Sequence, residues 1–145
     1  MTIAKLLNHD FTKGDLMLYD VNGKRTYQED SNGSWCKYEY DTNGNEIYFE
    51  YSTGSWWKQE YDSNSKRTYH EDSRGCWEKF EYDTNGNETY FENSTGSWCK
   101  REYDTNGNET YCENSSGFWY KREFDANGNE IYFEDSSGLI RHSIC

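Results

Sequence analysis

The chain has 145 residues and a formal net charge of -12, with 19% aromatic and 29% charged residues and no proline. Direct binding to nucleic acid is not expected, because that binding depends on basic residues that displace counterions from phosphates. Few aliphatic residues and high charge would favour disorder, but six tryptophans and fourteen tyrosines predict an ordered chain with an aromatic core.

The first 18 residues lie outside the repeating pattern that follows and are predicted to form an N-terminal cap. Met1 to Leu7 has one lysine and few apolar residues, so we expect no secretory leader, no membrane span and a cytoplasmic location. Leu16-Met17-Leu18 is the most aliphatic stretch. It predicts a degenerate capping strand preceded by a short helix or coil.

Residues 19–138 contain six tandem repeats of 21 residues. Each repeat has two turn signals, Asn-Gly within D-T-N-G-N-E and a glycine within N-S-T-G, separated by five or six strand-forming residues. The predicted fold is therefore all-β. We expect tandem β-hairpins in an elongated, twisted, single-layer antiparallel meander of about 12–13 strands with short caps at both ends. The first residues of the repeats are Tyr19, Tyr40, Tyr61, Tyr82, Tyr103 and Phe124.

The odd repeat length restricts the turns. A residue and its copy 21 positions later share a face only if one turn has an even number of loop residues and the other an odd number. We assign a two-residue type I′ turn to Asn-Gly and a three-residue loop to Ser-Thr-Gly. The reverse assignment satisfies the same rule and stays open. The first assignment places Lys79 opposite Glu92, a favourable cross-strand pair.

This register sorts the strand residues into two faces. We call the invariant one the ladder face: it carries Tyr90, Glu92, Trp98, Lys100, Glu102 and their copies at multiples of 21. The other, the variable face, changes from repeat to repeat. A feature shared by all repeats indicates a structural requirement, so the ladder face is assigned to sheet stability and the variable face to recognition.

Candidate binding residues follow from this division. Those on the variable face are Tyr38, Phe49, Trp57, Phe80, Phe91, Arg101, Tyr120, Arg122 and Phe133. Those of an acidic surface are Glu50, Glu92, Glu113, Glu134, Asp83 and Asp104.

The last segment, residues 139–145, is predicted to form a capping strand and tail, with Ile140 at the position that tryptophan occupies in the repeats. An uncapped strand edge would favour a homodimer, through the edge or through a face. The five cysteines show no C-x-x-C spacing and are interpreted as reduced thiols.

The pattern G-S-W-x-K-x-E-Y-D-x-N-G-N-E, at Gly96–Glu109 and Gly117–Glu130, resembles the bacterial variant of the MORN repeat. Through Tyr-Asp before the turn, the chain also resembles, more weakly, the YD (RHS-type) repeats of large secreted toxin shells. MORN-like arrays are single-layer scaffolds or partner-binding proteins, antitoxins among them. The resemblance implies a small array that binds a partner. Glycines of eukaryotic MORN units are missing here, and YD shells are far longer.

Chemical sites are not predicted. Asp83, Asn85, Asn87 and Glu88 supply calcium-type oxygen atoms, but Asp and Asn also favour turns, and a complete calcium loop needs more ligands in a longer frame. The glutamate pairs recur in every repeat, whereas a catalytic site should be distinctive. We therefore expect no enzyme activity, no metal and no cofactor.

The predicted function is to bind a protein partner, as an inhibitor or a scaffold. A sharper hypothesis is a DNA mimic whose regularly spaced carboxylates occupy the basic channel of a nucleic-acid-processing enzyme, in a phage or bacterial setting. The alternatives are a self-assembling structural spacer and a carbohydrate binder that uses the aromatic rows.

Overall fold

A computed structural model describes residues 2–143, and these residues form an all-β fold with thirteen strands in antiparallel meander order. The predicted fold class is therefore confirmed. Two short helical elements precede the strands, α1 (Ile3–Leu7) and one 3-10 turn (Phe11–Lys13). The strands are β1 (Leu16–Tyr19), β2 (Arg25–Glu29), β3 (Trp35–Tyr40), β4 (Glu46–Tyr51), β5 (Trp56–Tyr61), β6 (Arg67–Asp72), β7 (Trp77–Tyr82), β8 (Glu88–Asn93), β9 (Trp98–Tyr103), β10 (Glu109–Asn114), β11 (Trp119–Phe124), β12 (Glu130–Asp135) and β13 (Ile140–His142).

The chain divides into two compact units, the first ending at Cys76 and the second starting at Trp77. In the first unit, β1 to β6 pair in chain order. In the second unit, β7 to β13 do the same. The N-terminal cap predicted for residues 1–18 contains α1, the 3-10 turn and most of β1, and only its residue 1 lies outside the described residues.

Both kinds of turn are three-residue loops. In the Asn-Gly turn, the N–H of Asp41 donates to the carbonyl of Asn45 and the N–H of Gly44 to that of Asp41, at 2.9 and 3.0 Å. Tyr51 closes the other turn with the same two bonds. Gly44 has φ +87°, the left-handed conformation that ends a three-residue hairpin loop. The two-residue type I′ turn predicted for Asn-Gly is therefore wrong.

A β-bulge supplies the odd residue of the repeat. In the hairpin of β3 and β4, Tyr40 pairs with Glu46, but Glu39 pairs with Tyr48, so Ile47 has no partner of its own. Because the bulge adds one residue, it restores the register that a two-residue turn would give. The predicted pairing of Lys79 with Glu92 is confirmed. The bulged residues are all β-branched: Thr26, Ile47, Thr68, Thr89, Thr110 and Ile131.

The core is small and lies near the N-terminus, where α1 packs on the first strands. Ala4, Leu16 and Tyr27 are buried together. Glu29, only 2% exposed, accepts a hydrogen bond from the N–H of Ala4 at 2.9 Å and holds the start of α1 on the sheet. Away from this core, burial depends on single aromatic or thiol side chains of the variable face, among them Phe49 and Phe133.

At the other end, β13 pairs with β12 and all three of its residues are exposed. The C-terminal cap was predicted for residues 139–145, of which Ile144 and Cys145 lie outside the described residues. No helix within residues 2–143 has the length and hydrophobicity needed to cross a membrane.

Candidate functional site

The ladder face is a network whose polar groups satisfy one another. The hydroxyl of Tyr90 donates to Glu92 at 3.2 Å, and Tyr132 donates to Glu134 at 2.9 Å. Lys100 lies over the ring of Trp98, 5.3 Å from its centroid. Similar contacts recur in several repeats, so they account for the invariance of this face by local stability.

The lysines of this face choose different glutamates. Lys79 lies opposite Glu92, but its ammonium pairs along the strand with Glu81 at 3.1 Å. Lys58 instead pairs across the strands with Glu71 at 2.7 Å. Hydrogen bonds to these carboxylates raise the pKa of both lysines. The pairs are exposed and add little stability, yet they neutralise part of the acidic charge locally.

The candidates for an acidic surface occupy two different environments. Glu50, Glu92, Glu113 and Glu134 are half-buried, and each of the last three accepts a hydrogen bond from a tyrosine of its own strand. A second glutamate row, at Glu39, Glu60, Glu81, Glu102 and Glu123, is exposed. This row was not among the predicted acidic candidates. No sequence signal separates the two rows, because both recur in each repeat.

Asp83 and Asp104 serve their own turns. One oxygen of Asp83 accepts from the N–H groups of Asn85 and Asn87, at 2.9 and 2.8 Å, and the other accepts from the Asn87 side chain at 2.9 Å. Asp104 makes the same three bonds. The side-chain bond, then the backbone bonds, lower the pKa of both aspartates. Their conformation is explained by the turn without a metal or a partner.

On the variable face of the first unit, four rings form what we call the aromatic cluster: Tyr38, Phe49, Tyr51 and Trp57. Phe49 is its buried centre, with ring centroids 5.0 Å from Tyr38, 4.4 Å from Tyr51 and 5.8 Å from Trp57. The guanidinium of Arg25 lies 4.9 Å from the Tyr38 ring. The predicted candidates Tyr38, Phe49 and Trp57 are therefore brought together.

A cavity of about 430 Å³ opens beside this cluster, lined by Phe49, Tyr51 and Trp57 together with Asp72 and Arg74. Tyr51 is 48% exposed. It was not among the predicted candidates, although the sequence contains a signal: the equivalent position is Asp or Asn in the other repeats, as at Asn93. A large ring has replaced a turn residue at the rim of the cavity.

In the second unit, the variable face combines arginines with aromatic rings. The Arg122 guanidinium lies 4.4 Å from the Tyr120 ring centroid and 5.8 Å from that of Phe133. Arg101 forms an ion pair with Glu88 and another with Glu109 at 3.5 Å. Phe80 and Phe91 form a separate pair with centroids 5.3 Å apart.

Another cavity, of about 780 Å³, lies between α1 and the ladder face. Ile3, Leu18, Tyr27 and Trp35 supply its apolar lining, and Lys37 and Glu39 contribute charged groups. Within residues 2–143, no three His, Cys, Asp or Glu side chains are grouped so that they could hold a metal ion.

No protein-family profile matches the chain, and no curated protein matches it in sequence. Its fold is similar to parts of solved toxin complexes. The crystal structure of TcdB2-TccC3 without the hypervariable C-terminal region matches 88% of the chain with a TM-score of 0.60 and 11% identity. That of TcdB2-TccC3 matches 81% with a TM-score of 0.55 and 12% identity. The Photorhabdus luminescens Tc holotoxin pore, with the TccC3 mutation D651A, matches 88% with a TM-score of 0.51 and 12% identity.

The chain spans 7–9% of the length of these toxin chains, so the similarity concerns the repeat fold alone. It agrees with the toxin-shell resemblance, whereas the MORN-like resemblance stays a prediction. Sequence and structure together identify an all-β repeat chain whose fold is similar to stretches of toxin complexes.

Proposed function

We propose that this chain is a non-catalytic repeat module that binds a protein partner through the variable face, with the aromatic cluster as the anchor. The observation that carries the proposal is the exposed ring of Tyr51 beside Trp57, at the rim of a cavity of about 430 Å³. Rigid aromatic side chains around a pocket are the groups that contribute most to protein–protein affinity.

The two faces differ in their capacity for specific recognition. The ladder face presents the same residues in every repeat and pairs its own charges. The variable face presents different groups: rings in the first unit, and rings with arginines in the second. A partner can therefore recognise one segment of the variable face and distinguish it from the others.

The test is capture of a partner by the immobilised full chain, followed by an affinity measurement on variants. Tyr51→Asn and Trp57→Glu together introduce residues that other repeats have at these positions, Asn93 and Glu78, so the fold should persist. We expect at least about 30-fold weaker binding, the loss typical of an interface hot spot. Lys58→Gln, on the ladder face, is the control and should bind like the natural chain.

Unchanged affinity of the double variant would reject the aromatic cluster as the anchor. Capture that yields no protein partner, together with reproducible turnover of a substrate by the purified chain, would reject the whole proposal.

The finer version, an inhibitor that mimics DNA, is supported by the net charge of -12 and by the exposed Glu81 row. The lysines beside these glutamates weaken that support. If the captured partner binds nucleic acid, duplex DNA in excess should displace the chain from it. Failure of DNA to compete would reject DNA mimicry and leave protein binding intact.

A structural role in a larger assembly is the second candidate, and the fold similarity to short parts of long toxin chains favours it. In that case the chain should form ordered multimers and show no saturable binding to any captured protein. Carbohydrate binding by the aromatic rows has a separate test: titration of tryptophan fluorescence with a panel of glycans.

A further inference from the structure

Two cysteines meet on the variable face of the second unit. Cys99 lies in β9 and Cys112 in the neighbouring strand β10, and their sulfur atoms are 3.5 Å apart. Cys112 is opposite Arg101 and Cys99 is opposite Asn114, so the cysteines are diagonal neighbours across the strand pair. Both are free thiols, Cys112 buried and Cys99 half-buried.

The same diagonal is a contact point in other repeats, where rings occupy it. Trp57 and His70 meet there with centroids 6.3 Å apart, and Tyr120 stacks on Phe133 at 6.0 Å. Cys36 stands at the position equivalent to Cys99, but its diagonal neighbour is Phe49. Within residues 2–143, position 99 with position 112 is thus the diagonal on which two thiols face each other.

We propose that Cys99 and Cys112 form a reversible disulfide when the chain meets a small disulfide oxidant such as oxidised glutathione. A disulfide bond is about 2.05 Å long, so the sulfur atoms must approach by about 1.5 Å, which side-chain rotation of the more exposed Cys99 can provide. The bond would link β9 to β10 and stiffen this part of the variable face.

The order of attack follows from the environments of the two thiols. Burial raises the pKa of Cys112, and its hydrogen bond with Cys99 raises it further, so Cys112 is a poor first nucleophile. The Cys99 thiolate attacks one sulfur of the oxidant, forming a mixed disulfide and releasing one glutathione thiolate. Cys112 then loses its proton to solvent and attacks the Cys99 sulfur, releasing the second glutathione. Two protein thiols are oxidised and one oxidant disulfide is reduced.

The test treats the full chain with oxidised glutathione and identifies cysteine-containing peptides by mass spectrometry. We expect a peptide linked through Cys99 and Cys112 that has lost two hydrogen atoms, and reversal by a thiol reductant. Cys36 is the internal control, because it lacks a partner thiol and should stop at the glutathione adduct.

A variant separates the two steps. Cys112→Ser should accumulate the glutathione adduct at Cys99 and form no internal link. The oxidised natural chain should unfold at a higher temperature than its reduced form, a shift that the variant lacks. The proposal fails if Cys99 of the natural chain ends as a glutathione adduct to the same extent as Cys36. It also fails if its disulfides link separate chains.

Discussion

At the residue scale, each Asn-Gly turn depends on an aspartate that accepts backbone hydrogen bonds and on a residue in the left-handed conformation. The turn of Asp62 tests this dependence, because serine replaces glycine there. Ser65 has φ +61°, and its N–H donates to the Asp62 carbonyl at 3.0 Å as the glycines do elsewhere. The turn therefore survives the loss of glycine at a cost in backbone strain.

Ser65→Gly should stabilise the chain by about 1 kcal/mol, because a left-handed backbone is unfavourable for residues with a Cβ and free for glycine. The variant loses an exposed hydrogen bond from Asn45 at 3.0 Å, which contributes little. Denaturant midpoints measure the change. The reverse substitution, Gly107→Ser, starts from φ +85° and should destabilise by a similar amount. A neutral result at both positions would contradict this account of the strain.

The turn aspartates should make stability fall in acid. Hydrogen bonds hold the pKa of Asp41, Asp83, Asp104 and Asp125 below the usual value of 3.8. Because the folded-state pKa is lower than the unfolded one, their contribution is complete above the unfolded pKa and is lost as pH falls through the folded pKa. Denaturant midpoints should therefore drop between about pH 5 and about pH 3.

A chain with all four aspartates changed to asparagine is the matched comparison. Asparagine keeps an acceptor oxygen, as Asn93 shows by accepting from the N–H of Thr95 at 3.0 Å, but it does not titrate in this range. The acid loss should be smaller in this variant. An equal loss would assign acid sensitivity to the glutamates.

At the element scale, hairpin geometry is set jointly by a three-residue loop and a bulge. Glu81 pairs with Tyr90 and Tyr82 pairs with Glu88, which leaves Thr89 as the inserted residue of β8. A bulge can therefore be removed without changing which residues face each other.

Deletion of Thr89 should leave the pairing of β7 with β8 unchanged and cost little stability, since no paired residue is lost. If the hairpin had a two-residue turn and no bulge, the same deletion would move the rest of β8 to the opposite face. Deletion of Lys100, a paired residue of β9, is the control and should disrupt the fold. Circular dichroism and cross-strand proton contacts by NMR distinguish these outcomes.

The docking of α1 depends on one buried carboxylate. Burial by itself would raise the pKa of Glu29, but hydrogen bonds from Thr2, Ala4 and Tyr27 outweigh it and the pKa is lowered. The negative charge also faces the amino end of the helix, where it is favourable.

Glu29→Gln should weaken the docking of α1, because the Ala4 amide and the Tyr27 hydroxyl lose a charged acceptor. We expect protection of the Ala4 amide from hydrogen exchange to fall about 10- to 100-fold, or about 1.4–2.8 kcal/mol. Glu50→Gln, the same change one repeat later, lies in β4 opposite Trp56 and Lys37 and should leave this amide protected. Equal protection in both variants would assign the docking of α1 to apolar contacts alone.

At the scale of the whole molecule, each strand packs mainly on the strands next to it in sequence, as in other repeat proteins. No distant segment is needed to complete a repeat. A whole repeat should therefore be removable if the deletion matches the period of 21 residues.

Deletion of residues 79–99 joins Glu78 to Lys100 and keeps the strand pattern, so the shortened chain should fold and unfold at a temperature close to that of the natural chain. Deletion of residues 79–100 joins Glu78 to Arg101 and moves Arg101 to the face of Trp77. The second variant should lose most of its stability. Thermal unfolding followed by circular dichroism compares them, and equal melting temperatures would contradict the role of the period.

The sequence by itself determined the repeat, the strands, their register and the division into two faces, because the period and the turn residues are local signals repeated six times. It also placed Tyr38, Phe49 and Trp57 on one face. It could not separate a two-residue turn from a three-residue loop with a bulge, since both give the same pairs in the strands.

The tertiary structure alone decided which side chains meet. Lys79 chooses Glu81 over Glu92, Glu29 is buried under α1, and Cys99 approaches Cys112. These contacts depend on side-chain rotation, strand twist and diagonal neighbours across strands, none of which the repeat pattern specifies.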